Sequence, residues 1–415
     1  MKITKVVFLT SASTVVKLLS SVVINKFVSL FIGPSGLAVI GHFQNISGII
    51  QTFAIAGLTN GVVKYTADTQ SRNSLWSTAL KVTIIMSLLC GCVLVVFSSQ
   101  LASYFLEDNK YRYVFILYGF TVTLFSVNQL LLAILSGLKR INLYIKINII
   151  QSLYSLIFTA ILVYLFRLDG ALIAMVTNQS VILFVLFWFL RNDKEIILTY
   201  FFSRFDYQCL KKLLRYTLMS IISVISLPIS AITIRNYVGN HLSWDYAGYW
   251  QAVNYISSMY LLVITTVLSV YYLPRLSEIK NKNALIKEMI NNSIVLLPLT
   301  ILGAAFIYLI KDWIVLILFS KDFSNMLILF KYQLIGDVIK ISACLLSYLM
   351  LAKAITKTFI FTEVLSALSL TFLSIFSLKY YGFVGLSYAY LANNLLYLVI
   401  MIVVNIWYFK YNKDI

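Results

Sequence analysis

The sequence predicts an all-α integral membrane protein, with roughly twelve transmembrane helices in two pseudo-symmetric six-helix bundles. Three observations carry that expectation. Hydrophobic residues make up 60% of the chain against 12% charged, and the mean hydropathy is +0.89, a balance that water-soluble globules do not have. The 415 residues break into runs of about 20 mainly apolar residues, the length that crosses a bilayer core, joined by short connections. Near the middle lies the longest polar interval, Arg191 to Lys212, which holds Asp193, Lys194, Glu195, Arg204, Asp206 and Lys211 and reads as a cytoplasmic linker. The domains expected are therefore an N-terminal bundle over 1–195, a linker over 196–212 and a C-terminal bundle over 213–415.

In chain order, the first six spans are Val6 to Ile32, Leu37 to Lys64, Leu75 to Ser98, Tyr113 to Ser136, Tyr144 to Phe166 and Gly170 to Leu190. The first is too long for a signal-peptide core and no small-residue cleavage pattern follows it, so it is expected to stay as a helix. The remaining six are Leu213 to Tyr237, Tyr246 to Leu273, Asn291 to Ile310, Met326 to Leu351, Phe359 to Leu378 and Gly385 to Tyr408. Pro228 should kink the seventh, because it lacks the N–H that a helix interior uses. Sliding one half against the other by roughly 210 residues sets Gln44, Asn45, Ile46 and Ser47 opposite Asn254, Tyr255, Ile256 and Ser257. The aromatic turn around Phe105 and Tyr111 then falls near Phe319 and Phe323. An even number of spans per half gives both halves one orientation, related by an axis along the membrane normal.

The formal net charge of +18 reads as topology and not as a nucleic-acid surface, because the cations sit in short loops between apolar runs. With both termini cytoplasmic, about twenty of the 33 Lys and Arg fall on cytoplasmic segments and about six on periplasmic ones. Lys139, Arg140, Lys211, Lys212, Arg275, Lys280, Lys282 and Lys287 are in the cytoplasmic set. The four cysteines show no metal spacing, and no disulfide is expected.

Polar positions within the spans point to the site. In the first span Thr10, Ser13, Thr14, Lys17, Ser20 and Ser21 lie within about 60° of one line at roughly 100° per residue, with Lys17 near mid-bilayer. The eighth offers Gln251, Asn254, Tyr255, Ser258, Thr265 and Ser269, and the second Gln44, Ser47, Gln51 and Thr59. Such stripes either wall a wet cavity or hydrogen-bond across helix interfaces. A cation at the bilayer centre costs about 2.5 to 3.5 kcal/mol even on lenient insertion scales, so Lys17, with no acidic residue in helical reach, points to a bound anion or an aqueous lumen. Arg235, beyond Pro228, either faces that lumen or snorkels to the interface. Lys26 lies on the opposite side of its helix from Lys17 and reads as reaching headgroups, although Asn25 and Lys26 fall opposite Arg235 and Asn236 in the repeat.

In the tenth span, Gln333, Asp337, Lys340, Cys344 and Tyr348 share a face, and the spacing of Asp337 and Lys340 suits an ion pair, structural or functional. If that pair opens, Asp337, or Glu363 in the eleventh span, is a candidate to couple transport to a proton or sodium gradient. No other cofactor is expected. His42 and His241 are the only histidines and neither has a partner set for a triad or metal site, so the chain does not read as an enzyme. A phosphate-cradling glycine motif is likewise lacking.

Several segments then look familiar in their order and spacing: ASTVVK at Ala12 to Lys17, GVVKYTA at Gly61 to Ala67, SWDYAGYWQAVNYI at Ser243 to Ile256, SVYYLPRLS at Ser269 to Ser277, QLIGDVIK at Gln333 to Lys340 and LAKA at Leu351 to Ala354. Over nearly its whole length the chain resembles the bacterial flippases of undecaprenyl-pyrophosphate-linked oligosaccharides, the polysaccharide-transport branch of the MATE-like MOP superfamily. It is especially similar to O-antigen and enterobacterial-common-antigen translocases. The resemblance implies a MATE-like fold in the inner (cytoplasmic) membrane, with a cationic cavity open alternately to either side. Its cargo would be an O-antigen repeat unit moved from the cytoplasmic to the periplasmic leaflet in lipopolysaccharide biosynthesis. Lys17 and Arg235 would meet the pyrophosphate, supported by Gln44, Gln251 and Asn254. Membrane lipids, a polysaccharide polymerase and a chain-length regulator are the other partners implied. Three alternatives stand beside it: a drug or cation exporter of the same fold, which would favour acidic cavity residues; a membrane-embedded polymerase or glycosyltransferase, which would favour long periplasmic loops; and a non-transporting scaffold.

Overall fold

The computed structural model describes residues 3–68, 72–106, 108–138, 140–191, 203–353 and 355–411. Residues 192–202, half of the Arg191–Lys212 interval, lie outside the described residues, as do the side chains of Thr10, Ser13 and Thr14. The chain divides into two compact units, Met1–Ile32 with Val39–Pro228, and Gly33–Ala38 with Ile229–Ile415. The division falls at Pro228, inside the seventh span.

The first unit holds α1 (Ile3–Phe31), most of α2 (Gly33–Ala54), α3 (Thr59–Asp68), α4 (Arg72–Val96), α5 (Ser98–Phe105), α6 (Arg112–Gly137) and α7 (Ile141–Leu190). α8 (Tyr207–His241) crosses into the second unit, which continues through α9 (Trp244–Val267), a π turn over Leu268–Tyr272, α10 (Leu273–Glu278), α11 (Lys282–Leu309), α12 (Lys311–Leu318), α13 (Phe330–Ala352), α14 (Thr356–Tyr381) and α15 (Gly385–Tyr411). Helix follows from the solvent, since hydrocarbon offers backbone groups no partner and a helix satisfies them within one segment.

Six described helical runs are long and apolar enough to cross a membrane, or seven with one bent pair counted. Two of them, Asn142–Leu190 and Thr356–Lys410, are 49 and 55 residues long. At about 1.5 Å per residue each exceeds twice the ~30 Å hydrocarbon thickness. Both turn back midway in the same manner. Arg167 has φ +50° and ψ −122°, and three residues later Gly170 approaches the Leu162 carbonyl so closely that a Cβ would lie 1.9 Å from its oxygen. In the second unit Gly382 has φ +62° and ψ −150°, and a Cβ on Gly385 would lie 2.2 Å from the Ser377 oxygen. Beyond each turn an asparagine reaches back to the preceding helix. Asn178 donates to Ser155 Oγ (2.9 Å) and Thr159 Oγ1 (3.1 Å), while Asn393 donates to Ser366 Oγ (3.3 Å) and accepts from Ser369. All three pairs, 167 with 382, 170 with 385 and 178 with 393, are 215 residues apart. Each unit thus carries its own copy of one hairpin, and the repeat read at roughly 210 has gained five residues by this point.

The structure corrects the second span, expected as unbroken from Leu37 to Lys64. α2 stops at Ala54, and α3 leaves Thr59 bent by 49° from it. Ala56 and Gly57 are both left-handed (φ +53° and +60°). Gly57 N–H donates to Thr52 O (2.8 Å) and Ala56 N–H to Phe53 O (2.9 Å), the paired closure of a Schellman motif. The ninth span also starts earlier than expected, at Lys282, because the Asn281 side chain accepts from the N–H groups of Asn283 (2.9 Å) and Ala284 (3.2 Å) and caps the helix there. On the connection before α6, Asp108 accepts from Lys110 N–H (2.9 Å) and lies 3.0 Å from the Lys110 ammonium. Those contacts hold its carboxyl below the usual range.

Candidate functional site

In the second unit polar side chains of five helices make hydrogen bonds within the helical bundle, beginning on α8 with a cation. Arg235 on α8 is only 1% exposed. Its Nη2 donates to Gln251 Oε1 on α9, and its guanidinium lies 5.8 Å from the centre of the Trp250 ring. A planar guanidinium tolerates burial better than an ammonium when an amide and a π face stand beside it. Tyr255, half-buried on α9, is within electrostatic reach of it.

One turn along α9, Asn254 Nδ2 donates to its own helix at Trp250 O (3.0 Å), leaving Oδ1 to accept from Gln333 Nε2 on α13 (3.3 Å). Gln333 also donates to Ser257 Oγ (3.3 Å), which in turn donates to Asp337 Oδ2 (2.7 Å). Tyr260 OH donates to the same oxygen (2.9 Å), and Tyr390 OH on α15 donates to Oδ1 (2.7 Å). Asp337 is fully buried. Taking a carboxylate out of water costs several kcal/mol, and three hydroxyl donors are what make its burial tenable. Tyr390 is aimed by its neighbour: Gly336 has no side chain, and a Cβ there would lie 2.6 Å from the Tyr390 ring.

This arrangement corrects the ion pair expected between Asp337 and Lys340. Among the described residues no contact within 4 Å joins them; the hydroxyls occupy the carboxylate instead. The Lys340 ammonium lies 5.9 Å from the Tyr390 ring centre and acts electrostatically on both Asp337 and Glu363. Glu363, on α14, accepts from Tyr397 OH (2.6 Å). Lys340 therefore stands in the field of two carboxyl groups, each held by tyrosine.

Of the candidates read from sequence, Arg235, Gln251, Asn254, Tyr255, Asp337, Lys340 and Glu363 lie in this unit. Lys17, Lys26 and Gln44 lie in the first. There Lys17 is exposed on α1, Lys26 is half-buried with its carbonyl accepting from Ser29 Oγ (2.9 Å), and Gln44 is exposed on α2. Sequence reasoning missed Ser257, Tyr260, Tyr390 and Tyr397. The eighth-span stripe put Ser258 with Asn254, but Ser258 is exposed and Ser257 carries the contact. On a helical wheel the two residues lie about equally far from Asn254, so only the position of α13 decides between them.

The family model for "Polysaccharide biosynthesis protein" matches residues 28–328. The chain belongs to this polysaccharide biosynthesis family. Among curated relatives of this family member, the Lipid III flippase of Escherichia coli (strain K12) is 28% identical over 401 residues, covering 96% of both chains; the Lipid III flippase of Shigella flexneri matches to the same extent. Among solved structures, a multidrug resistance MATE family transporter of the MOP superfamily, in its inward-facing conformation, superposes with a TM-score of 0.77 at 16% identity, over 95% of this chain and 96% of that one. A MOP superfamily transporter from Pyrococcus furiosus gives 0.71 at 16% identity, over 97% and 94%. The polysaccharide biosynthesis family member thus has the all-helical MATE-like fold, as the sequence resemblance implied.

Proposed function

We propose that this protein is a flippase, not an enzyme, which moves an undecaprenyl-pyrophosphate-linked oligosaccharide from the cytoplasmic to the periplasmic leaflet of the inner membrane by alternating access. The observation that carries the reading is the likeness to the Lipid III flippase, which runs over 96% of both chains. Within that frame, the buried Arg235, in the seventh span expected from sequence, suits a diphosphate: a guanidinium presents parallel N–H donors that phosphate oxygens accept in pairs. Gln251, Asn254 and Tyr255 add neutral hydrogen-bonding groups beside it. Lys17, Lys26 and Gln44 are the matching candidates in the first unit. The cargo proposed is an O-antigen repeat unit, handed on to a polymerase and chain-length regulator.

The decisive measurement is flux. Vesicles carrying the purified protein and a polyprenyl-pyrophosphate-linked trisaccharide should redistribute it between leaflets faster than empty vesicles do, and no acceleration would reject the reading. Arg235→Ala and Lys17→Ala should each slow redistribution by about tenfold, the loss of one charge-assisted contact, at unchanged membrane abundance. Normal flux in both would remove the cationic site.

Asp337 and Glu363 are proposed to couple the cycle to a proton or sodium gradient, since each is a carboxyl within a membrane helix whose neighbours are neutral hydroxyls and one shared lysine. Asp337→Asn should abolish the response of flux to imposed pH or sodium gradients. Retention of both responses would leave the carboxyl a structural role.

A further inference from the structure

The first unit contains a second polar feature, remote in sequence from Arg235 and Asp337. A cavity of 160 Å³ opens at the break in the second span. Gln51 and Thr52 line it from the end of α2, Thr59 from the start of α3, and Phe125, Ser126 and Gln129 from α6. A discontinuous span beside a polar cavity is the place where transporters build binding sites, because irregular backbone at membrane depth is tolerated only against protein or a wet lumen.

The lining is neutral throughout. Two carboxamides, Gln51 and Gln129, line it; Gln51 also meets the Tyr118 hydroxyl, and a carboxamide, with two N–H donors and two acceptor lone pairs, can serve more than one partner. Thr52 Oγ1 donates to Gly48 O (2.9 Å) and Ser126 Oγ to Val122 O (2.8 Å), so both hydroxyl protons are committed to their own helices and the oxygen lone pairs remain. The buried Phe125 ring supplies an apolar wall. A phosphate or carboxylate ligand would call for a cation here, and an ammonium or metal ion for a carboxylate; the lining has neither. A sugar ring matches what is present. Its adjacent hydroxyls both donate and accept, and its C–H face packs on an aromatic ring. At ~30 Å³ per liquid water the cavity has room for about five waters, the space of a single pyranose.

We infer that this cavity is a subsite for one neutral sugar residue of the transported saccharide. The inference rests on the flippase reading, and it adds that part of the cargo's glycan is held inside the first unit, apart from the cations that meet the pyrophosphate. The sugar displaces water from the pocket and exchanges its hydrogen bonds for those of Gln51 and Gln129.

The test uses the full chain with Gln51→Leu/Gln129→Leu, which keeps side-chain size and removes both carboxamides. Vesicles contain undecaprenyl pyrophosphate with either a trisaccharide or no sugar. The expected result is at least tenfold slower movement of the saccharide carrier, from two hydrogen bonds at about 1 kcal/mol each, with the bare carrier moving at its wild-type rate. Equal slowing of both carriers, or of neither, overturns the inference while leaving the flippase reading in place. A wild type that moves neither carrier sinks the flippase reading. The subsite is then decided by saturation-transfer NMR on the purified protein with millimolar hexoses and N-acetylhexosamines. Transfer to at least one sugar, lost in the double variant, supports it; no transfer with any sugar, or transfer kept by the variant, overturns it.

Discussion

At the scale of single residues, the Asp337 carboxylate sets the terms for its surroundings. Ser257 and Tyr260 donate to one of its oxygens and Tyr390 to the other, so removing one donor leaves the other two in place. Tyr390→Phe should cost about 1 to 2 kcal/mol, between the mean for hydrogen bonds in membrane bundles and that for bonds to charged groups, read as a lowered midpoint of thermal unfolding in detergent. Gly336→Ala should lower it as well, although that substitution touches no hydrogen-bonding group, because the new Cβ would meet the Tyr390 ring at 2.6 Å and push it off the carboxylate. If Gly336→Ala unfolds like the wild type, the ring is not held by that close approach. The same residues show where sequence reading stops. Asp337 was legible because a carboxyl in an apolar run needs a partner, structural or functional. Its tyrosines were not, because with 28 tyrosines in the chain one more on a lipid-embedded helix carries no signal until the helix crossing is known.

At the scale of elements, the two hairpins separate what pattern can reveal from what it cannot. Span lengths were readable because hydrocarbon thickness imposes them, and both hairpins fall within a few residues of the expected boundaries. The turn geometry was readable in only one copy. Gly382 stands at a positive φ, as glycine readily does, but the equivalent position in the first unit is Arg167, at φ +50° and ψ −122°. An L side chain there costs about 1 to 3 kcal/mol. Arg167→Gly, which restores the residue of the other copy, should therefore raise the unfolding midpoint. Gly382→Arg, the reciprocal exchange, should lower it. Opposite signs are the prediction; a loss in both would mean that the Arg167 side chain contributes more than its backbone costs. The break after Ala54 was illegible for a related reason. Gly57 signals a stop, but Ala56 is an ordinary helix former, and its left-handed conformation is imposed by the Schellman closure around it.

At the scale of the whole molecule, orientation is set by charge, not by packing. Cations cluster on the connections expected in the cytoplasm because translocating a Lys- or Arg-rich short loop during insertion is unfavourable, which makes the Lys and Arg of short loops the determinant of sidedness. Lys282 starts α11, where its ammonium donates to Phe409 O (2.7 Å) near the end of α15. Lys311 starts α12, past the far end of α11, with its ammonium 4.2 Å from the Tyr308 ring centre. The 28 residues of α11 separate the two ends by about 42 Å at 1.5 Å per residue, enough to set them on opposite faces of the bilayer. With Cys90, Cys92, Cys209 and Cys344 replaced by serine, Lys311→Cys should react in intact cells, after the outer membrane is made permeable, with a thiol reagent that cannot cross the inner membrane. Lys282→Cys should react only once that membrane is opened. The reverse labelling would place both termini in the periplasm, and labelling of both sites in intact cells would mean that α11 does not cross the bilayer. The outcome also bears on the direction of transport, because the positions of Arg235 and Asp337 along their helices become depths from a known face only when sidedness is fixed.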